Sequence, residues 1–342
     1  MGWWFRRGYD SAYLAALDAF VEVFDSFRDR LIEPDSAISH IRFDWDPSVQ
    51  VGAIASRMRN RRDIRVALGC WSRVQGLSNI LMACNDVAPW FGDACTERVS
   101  LDDWARFSQI QPQPQAESRI EAANVLAETT LMMIFMHELG HHVLGHLDRN
   151  KSHSKAKIVE SKRLWLSWSN RSSSARLVQW QEVCADRFAI SGLRYLIHTH
   201  GNSFPDQLLG HELDRHLGRV VPFAHLIMLL SLPGHEIAMS RYAKATHPHP
   251  LVRILASQDF SENDGKRDDD EKELVRLLRA SYYAELGIEE WEKILTEASG
   301  FAKECLGYQP SPDELGRQYD LSSDAWHTAT AHGSLKYRFP ES

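Results

Sequence analysis

His137, Glu138 and His141, in the run His137-Glu138-Leu139-Gly140-His141, are the residues whose types and spacing most directly support chemistry. A helix turns about 100° per residue, so the two imidazoles fall about 40° apart on one face, where both can reach a single tetrahedral metal ion. Glu138 lies about 100° round from His137, where its carboxylate can reach a water on the metal without binding the metal. That is the position of a general base in the HExxH arrangement of zinc hydrolases.

A catalytic zinc needs three protein ligands and one open position, so a further donor must come from elsewhere. Glu182 is the candidate, because Glu182-Val183-Cys184-Ala185-Asp186 again places two acidic groups at i and i+4 on a helix face. One carboxylate can bind the metal while Asp186 accepts an N–H from a metal-bound imidazole and fixes its tautomer. On its own this spacing is weak, since composition alone produces it about once in a chain of this kind.

The remaining histidines carry less. His142 and His146 fall about 140° and 180° from His137 around an uninterrupted helix, which excludes both from the same site. The longer HExxHxxGxxH pattern fails, because Leu144 and Leu147 stand where Gly and His are required. His198, His200, His211, His216, His225 and His235 have no ligand spacing with a partner and read as ordinary surface or core residues. Gly140 costs about 1 kcal/mol inside a helix, which points to close backbone packing at that turn.

The elements that must position these groups follow from periodicity. Apolar side chains from Leu14 to Leu31 predict an amphipathic helix over about Ser11–Ile32. His40–Trp45, Val49–Ile54 and Ile64–Trp71 have strand character and predict a small sheet. The Gln111–Gln115 run, with prolines at 112 and 114, breaks structure ahead of a long helix from about Ala116 through His146. Asp148–Arg176 is polar and reads as an exposed connection or flap. A helix over Val178–His198 and another helical stretch to about Tyr242 follow. Ser261–Glu273 reads as a solvated acidic linker, and Leu274–Leu306 as two helices.

The 342 residues carry a formal charge of −7 and 44% hydrophobic side chains, which describes a globular chain with no general attraction for nucleic acid or anionic lipid. The short cluster Arg57–Arg65 is the one basic feature, and nucleic acid is not expected as a partner. Asp10 and Asp18 interrupt the N-terminal apolar residues, so no cleaved leader is expected, and the longest apolar stretches are too short or too rich in histidine for stable membrane insertion. Five scattered cysteines without a CxxC pair fit structural thiols and a cytoplasmic location. The eleven tryptophans show no regular interval.

A third element adds a resemblance. Thr246-His247-Pro248-His249-Pro250-Leu251-Val252-Arg253-Ile254 resembles the downstream HP-x4-R segment of gluzincin metallopeptidases of the CAAX-prenyl-protease and HtpX family, which follows HExxH and ExxxD in that order. The likeness runs from about Ala116 to Leu255. It implies that His137, His141 and Glu182 bind Zn²⁺, that Glu138 is the base, and that Asp186 orients a ligand. It further implies that His247 meets the substrate carbonyl or the oxyanion, and that Arg253 braces that segment. Members of that family usually carry membrane helices or an export signal, so the chain is also similar to the soluble, phage-exclusion Lit-type proteases.

The expected fold is α+β: a helix-dominated, zincin-like metalloprotease core with a small β-sheet and a helical C-terminal addition. The divisions expected are an N-terminal helix over 1–35, the metalloprotease domain over 36–258, and an acidic linker with helical region over 259–342. The expected function is zinc-dependent endopeptidase action on an intracellular protein or peptide. Glu138 would take a proton from the zinc-bound water and return it to the leaving amine. An edge strand at Ile64–Trp71 would hold substrate by backbone pairing, Asp148–Arg176 would act as a gate, and a regulatory partner is compatible with this picture. The rival from another class is a non-catalytic, zinc-containing regulator that works by binding a partner.

Overall fold

The computed structural model describes Val21 and residues 41–46, 48, 50–58, 61–106, 111–144, 146–147, 156–159, 172–200, 212–231, 249–257, 267–283 and 286–307. Among these, a helix-dominated α+β architecture surrounds one long helix. Strands β1 (Ile41–Asp46), β2 (Ala53–Met58), β3 (Arg61–Ala67) and β4 (Ala156–Val159) form a four-stranded sheet in the order β1-β3-β2-β4. β3 runs parallel to β1 and antiparallel to β2, and β4 joins β2 antiparallel. The helices are α1 (Leu68–Met82), α2 (Glu117–Val143), α3 (Ser172–His200), α4 (Glu212–Ser231), α5 (Pro250–Ser257), α6 (Arg267–Tyr283) and α7 (Ile288–Gly307).

α2 is the centre. Every residue from Leu131 to His142 is buried, and a helix that is shielded on all sides needs neighbours on all sides. It has them: α3, α1 and α4 pack along it, and the sheet covers another flank through β2 and β3. Phe135 meets Phe43 edge to face at 4.1 Å between centroids, with Trp45 at 5.7 Å. His142 donates from Nε2 to the Asp63 carbonyl of β3 at 3.2 Å, so this histidine ties helix to sheet. Thr129 and Thr130 return their hydroxyls to the carbonyls of Val125 and Leu126, which satisfies both inside an apolar helix.

The start of α2 is set from a distance. Ala116 has no side chain to cap the helix, and the Glu97 carboxylate accepts from the backbone N–H groups of Gln115 and Ala116 instead. Gly92 has φ of +83°, and a Cβ there would lie 2.8 Å from the Ser118 carbonyl. Only glycine lets that turn press so close to the first turn of α2. One turn on, Arg119 is fully buried, and its guanidinium donates to the carbonyls of Met82, Cys84, Val87, Ala88 and Phe91 at 2.8–3.0 Å. It collects the end of α1 and the loop after it around α2.

Several boundaries differ from the sequence reading. The second strand begins at Ala53 and runs on to Met58, because β2 lies between β3 and β4 and backbone pairing on both sides overrides the polar side chains. The third is not an edge strand: β3 is paired on both sides and ends at Ala67, and Leu68 begins a helix. Its backbone groups are already used, so it cannot hold a substrate strand. Four residues of the expected flap form β4 at the sheet edge. The acidic run is a helix from Arg267 onward, with three aspartates in its first turns where the helix dipole favours them. Glu273 there accepts from the Ala88 N–H, and Leu274, Leu277 and Leu278 join the same core as Trp291, Ala298 and Ala302 of α7. The predicted N-terminal helix lies outside the described residues except for Val21, which is helical and packs on the core. Arg62 is buried and Arg65 half-buried, so these two add nothing to an exposed basic patch.

Two predictions follow from this framework. Arg119→Met keeps the apolar stem but leaves a set of buried carbonyls without their donor, and should cost at least about 3 kcal/mol in urea unfolding; a loss under about 1 kcal/mol would show that those carbonyls find other donors. Burial pushes the Cys84 thiol up to about 12, whereas Cys95 is exposed. With an alkylating reagent at pH 8, the native protein should react at Cys95 at least about 100-fold faster than at Cys84, because only thiolate attacks. Comparable rates by peptide mapping would contradict the packing around Cys84.

Candidate metal centre

Two helices bring the candidate ligands together. His137 and His141 lie one turn apart on α2, and Glu182 comes from α3. The histidine Nε2 atoms are 3.1 Å apart, Glu182 Oε2 is 3.4 Å from His137 Nε2, and Glu182 Oε1 is 3.6 Å from His141 Nε2. Each of the three residues is no more than 1% exposed, and together they form a buried group that could hold a metal ion. Tetrahedral zinc with bonds of about 2.0–2.1 Å requires donor atoms about 3.3 Å from one another. The imidazole separation and the shortest approach of Glu182 to each imidazole, through a different oxygen in each case, lie near that edge length. The donor types, two imidazoles and a carboxylate, are also those zinc takes.

Asp186, one turn beyond Glu182, stands behind this group. Its Oδ1 lies 2.9 Å from His137 Nδ1. An ionised carboxylate only accepts, so His137 carries its proton on Nδ1 and leaves a lone pair on Nε2, facing Glu182 and His141. Arg253 of α5 grips the same carboxylate with both arms, Nε to Oδ2 at 2.8 Å and Nη2 to Oδ1 at 2.7 Å. His225 of α4 lies 3.4 Å from Oδ2, and the Ser257 hydroxyl donates to Oδ2 at 3.4 Å. Burial alone would raise the Asp186 carboxyl; Arg253 and then His225 outweigh it and hold the group well below the usual carboxylate range. For His141, burial is the largest influence and holds the imidazole well below its ordinary value. The neutral ring this favours is the form that binds a metal.

The two ligand-bearing helices can approach because of Gly140. A Cβ at that position would sit 3.1 Å from Phe188 Cδ1 and 3.3 Å from Ala185 Cα. Ala185 is the neighbour of Asp186, so even a methyl at 140 would require Phe188 and the backbone of α3 to give by a few tenths of an ångström beside the ligand-bearing turn. The close packing expected of this glycine is present.

Glu138 is buried beside His137 on α2, 1% exposed. Arg253 does not brace only its own segment: it spans from α5 to Asp186 on α3 and lies 3.7 Å from Glu182 Oε2. His247 lies outside the described residues. His249 is buried, and its Nδ1 accepts from the Leu251 N–H at 3.1 Å, capping α5 ahead of Pro250 at the first helical position. That cap positions the turn that carries Arg253.

Two histidines that the sequence reading set aside belong to this region. His146 lies within the site's surroundings, because α2 ends at Val143 and the angular count past that point no longer holds: His146 Nδ1 is 2.9 Å from His141 Nδ1. His225 is the other. The signal for it was present, since a lone imidazole in the otherwise apolar run Val220–Leu230 must have a buried polar partner.

The Asp186–Arg253 pair predicts its own measurement. Asp186→Asn keeps the shape but strips the buried guanidinium of its counter-charge, and should cost about 3–5 kcal/mol of unfolding free energy. A loss below about 1 kcal/mol would show that the pair does not hold α3 and α5 together.

No curated protein and no solved structure matches this chain, and no helix among the described residues is long and apolar enough to cross a membrane. Residues 77–269 match the model of the family Peptidase U49. This span is more than half of the chain and contains His137, Glu138, His141, Glu182, Asp186 and Arg253. The chain belongs to the Peptidase U49 family.

Proposed function

We propose that the protein is a zinc-dependent endopeptidase of gluzincin type, with His137, His141 and Glu182 as the metal ligands. The observation that carries this reading is the buried group of His137, His141 and Glu182, with the imidazole Nε2 atoms 3.1 Å apart and one Glu182 oxygen near each, at 3.4 and 3.6 Å, in a chain of a peptidase family. Zinc held there supplies Lewis acidity, polarising a scissile carbonyl and making a water easier to deprotonate. Glu138 takes a proton from the attacking water and delivers it to the departing amine, so one carboxylate serves as base and then as acid. Asp186 keeps His137 in the Nδ1–H tautomer, and Arg253 keeps Asp186 ionised. His247 serves as the donor to the oxyanion, a role that rests on the His-Pro resemblance. The substrate is a protein or peptide of a reducing compartment, which the free cysteines support.

One observation favours the second reading, a regulator in which the metal is structural. His137, Glu138, His141 and Glu182 are all closed from solvent to within 1%. Glu138 separates the two, because a structural site has no use for a base beside its metal. Glu138→Gln should retain one equivalent of zinc and lower peptide-bond cleavage about 10²–10⁴-fold. The experiment is a proteome-wide search for new N-termini in cells expressing wild type or Glu138→Gln. Cuts confined to the wild type are expected, and identical sets of N-termini from both would favour the regulator.

A further inference from the structure

His146 is a buried imidazole that the proposed chemistry does not use. Its position follows from how α2 ends. Leu144 is the C-cap, with its N–H on the Gly140 carbonyl, and Gly145 stands next in sequence, where helices most often place glycine. The His146 N–H then bonds the His141 carbonyl at 3.0 Å. This is the six-to-one bond of a Schellman motif, in which residue C″ returns to residue C3. Such motifs usually bring two hydrophobic side chains together at C3 and C″. Here both are histidines, His141 0% and His146 2% exposed, and their Nδ1 atoms meet at 2.9 Å.

That bond has two proton placements. If His146 donates, Nδ1 of His141 is the acceptor and the single N–H proton of that neutral ring sits on Nε2, which then cannot bind a cation. If His141 donates from Nδ1, its Nε2 lone pair faces His137 Nε2 and Glu182, and His146 must be the Nε2–H tautomer with Nδ1 accepting. We infer that His146 is a positioning residue of the metal site: as the acceptor for His141 Nδ1–H, it holds the second ligand imidazole in the tautomer and orientation that binds zinc. His146 thereby does for His141 what Asp186 does for His137. The helix terminus aims it, so the ligand run reads H-E-x-x-H-x-x-x-x-H, the last residue lying past the helix end. The imidazole of His146 also lies beside the Trp180 ring of α3, tilted against it at 6.3 Å between centroids.

This inference rests on the metal-site reading above, and the experiment separates the two. Zinc affinity of the full chain, stripped of metal, is measured by competition with a chromophoric chelator for wild type, His146→Leu and His146→Asn, with thermal melting of each metal-free protein alongside. Leu at this position restores the usual apolar contact of the Schellman motif and removes the acceptor. Asn places an amide oxygen where Nδ1 was. The expected result is that His146→Leu melts no lower than wild type yet binds zinc about 10- to 100-fold more weakly, the range for loss of a partner behind a ligand. His146→Asn should recover affinity to within about threefold of wild type, since it restores that acceptor. Leu binding zinc as tightly as wild type, or Asn falling as far as Leu, overturns the role of His146 and leaves the metal site standing. A wild-type chain that binds no zinc overturns both.

Discussion

The carboxylate of Asp186, held on both oxygens by the guanidinium of Arg253, is the interaction on which the rest of the site depends. It joins α3 to α5, reaches His137 on α2, and has His225 of α4 beside it, so four helices converge on one buried anion. A charge in such a place is stable only if it is paired and hydrogen-bonded with good geometry, and every added partner narrows the positions the helices can take. The cost of burying the pair is offset by placement: His137 is left with one tautomer and one direction.

The close approach of α2 and α3 is the complementary constraint. Without a side chain at 140, the backbone of Ala185 and the ring of Phe188 lie against α2. This puts Glu182 and Asp186 at the depth of the two histidines. Above that contact, His146 lies beside Trp180, and below it His137 meets Asp186, so the two helices run in opposite directions past one another.

The end of α2 links the local rule to the site. A helix must dispose of its last carbonyls, and a glycine followed by a returning N–H is a common solution. In this chain that solution places an imidazole on an imidazole. What elsewhere would be an apolar clasp becomes a hydrogen bond between two buried rings, 2.9 Å apart.

Much of this was legible in the residues. The spacing of His137, Glu138 and His141, the i, i+4 pair Glu182 and Asp186, and the cost of Gly140 each depend on helical geometry alone, which is why they could be read without a fold. The paired histidines and Glu182 do meet. Arg253 was recognised by its motif, but its grip on Asp186 is a contact across 67 positions of sequence, which no local period encodes. The third strand ends earlier than its apolar run suggests because that run continues into α1, and short apolar runs do not distinguish strand from buried helix. The acidic run reads as a linker because composition cannot see Ala88 and the core that receive it. His146 and His225 escape a local reading for one reason: angular position on a helix describes neighbours along that helix, whereas a cap or another helix brings neighbours from outside it. Local spacing thus determined which groups could bind a metal, and the tertiary structure decided which buried partners hold those groups in place, because only packing brings distant polar atoms within hydrogen-bond reach.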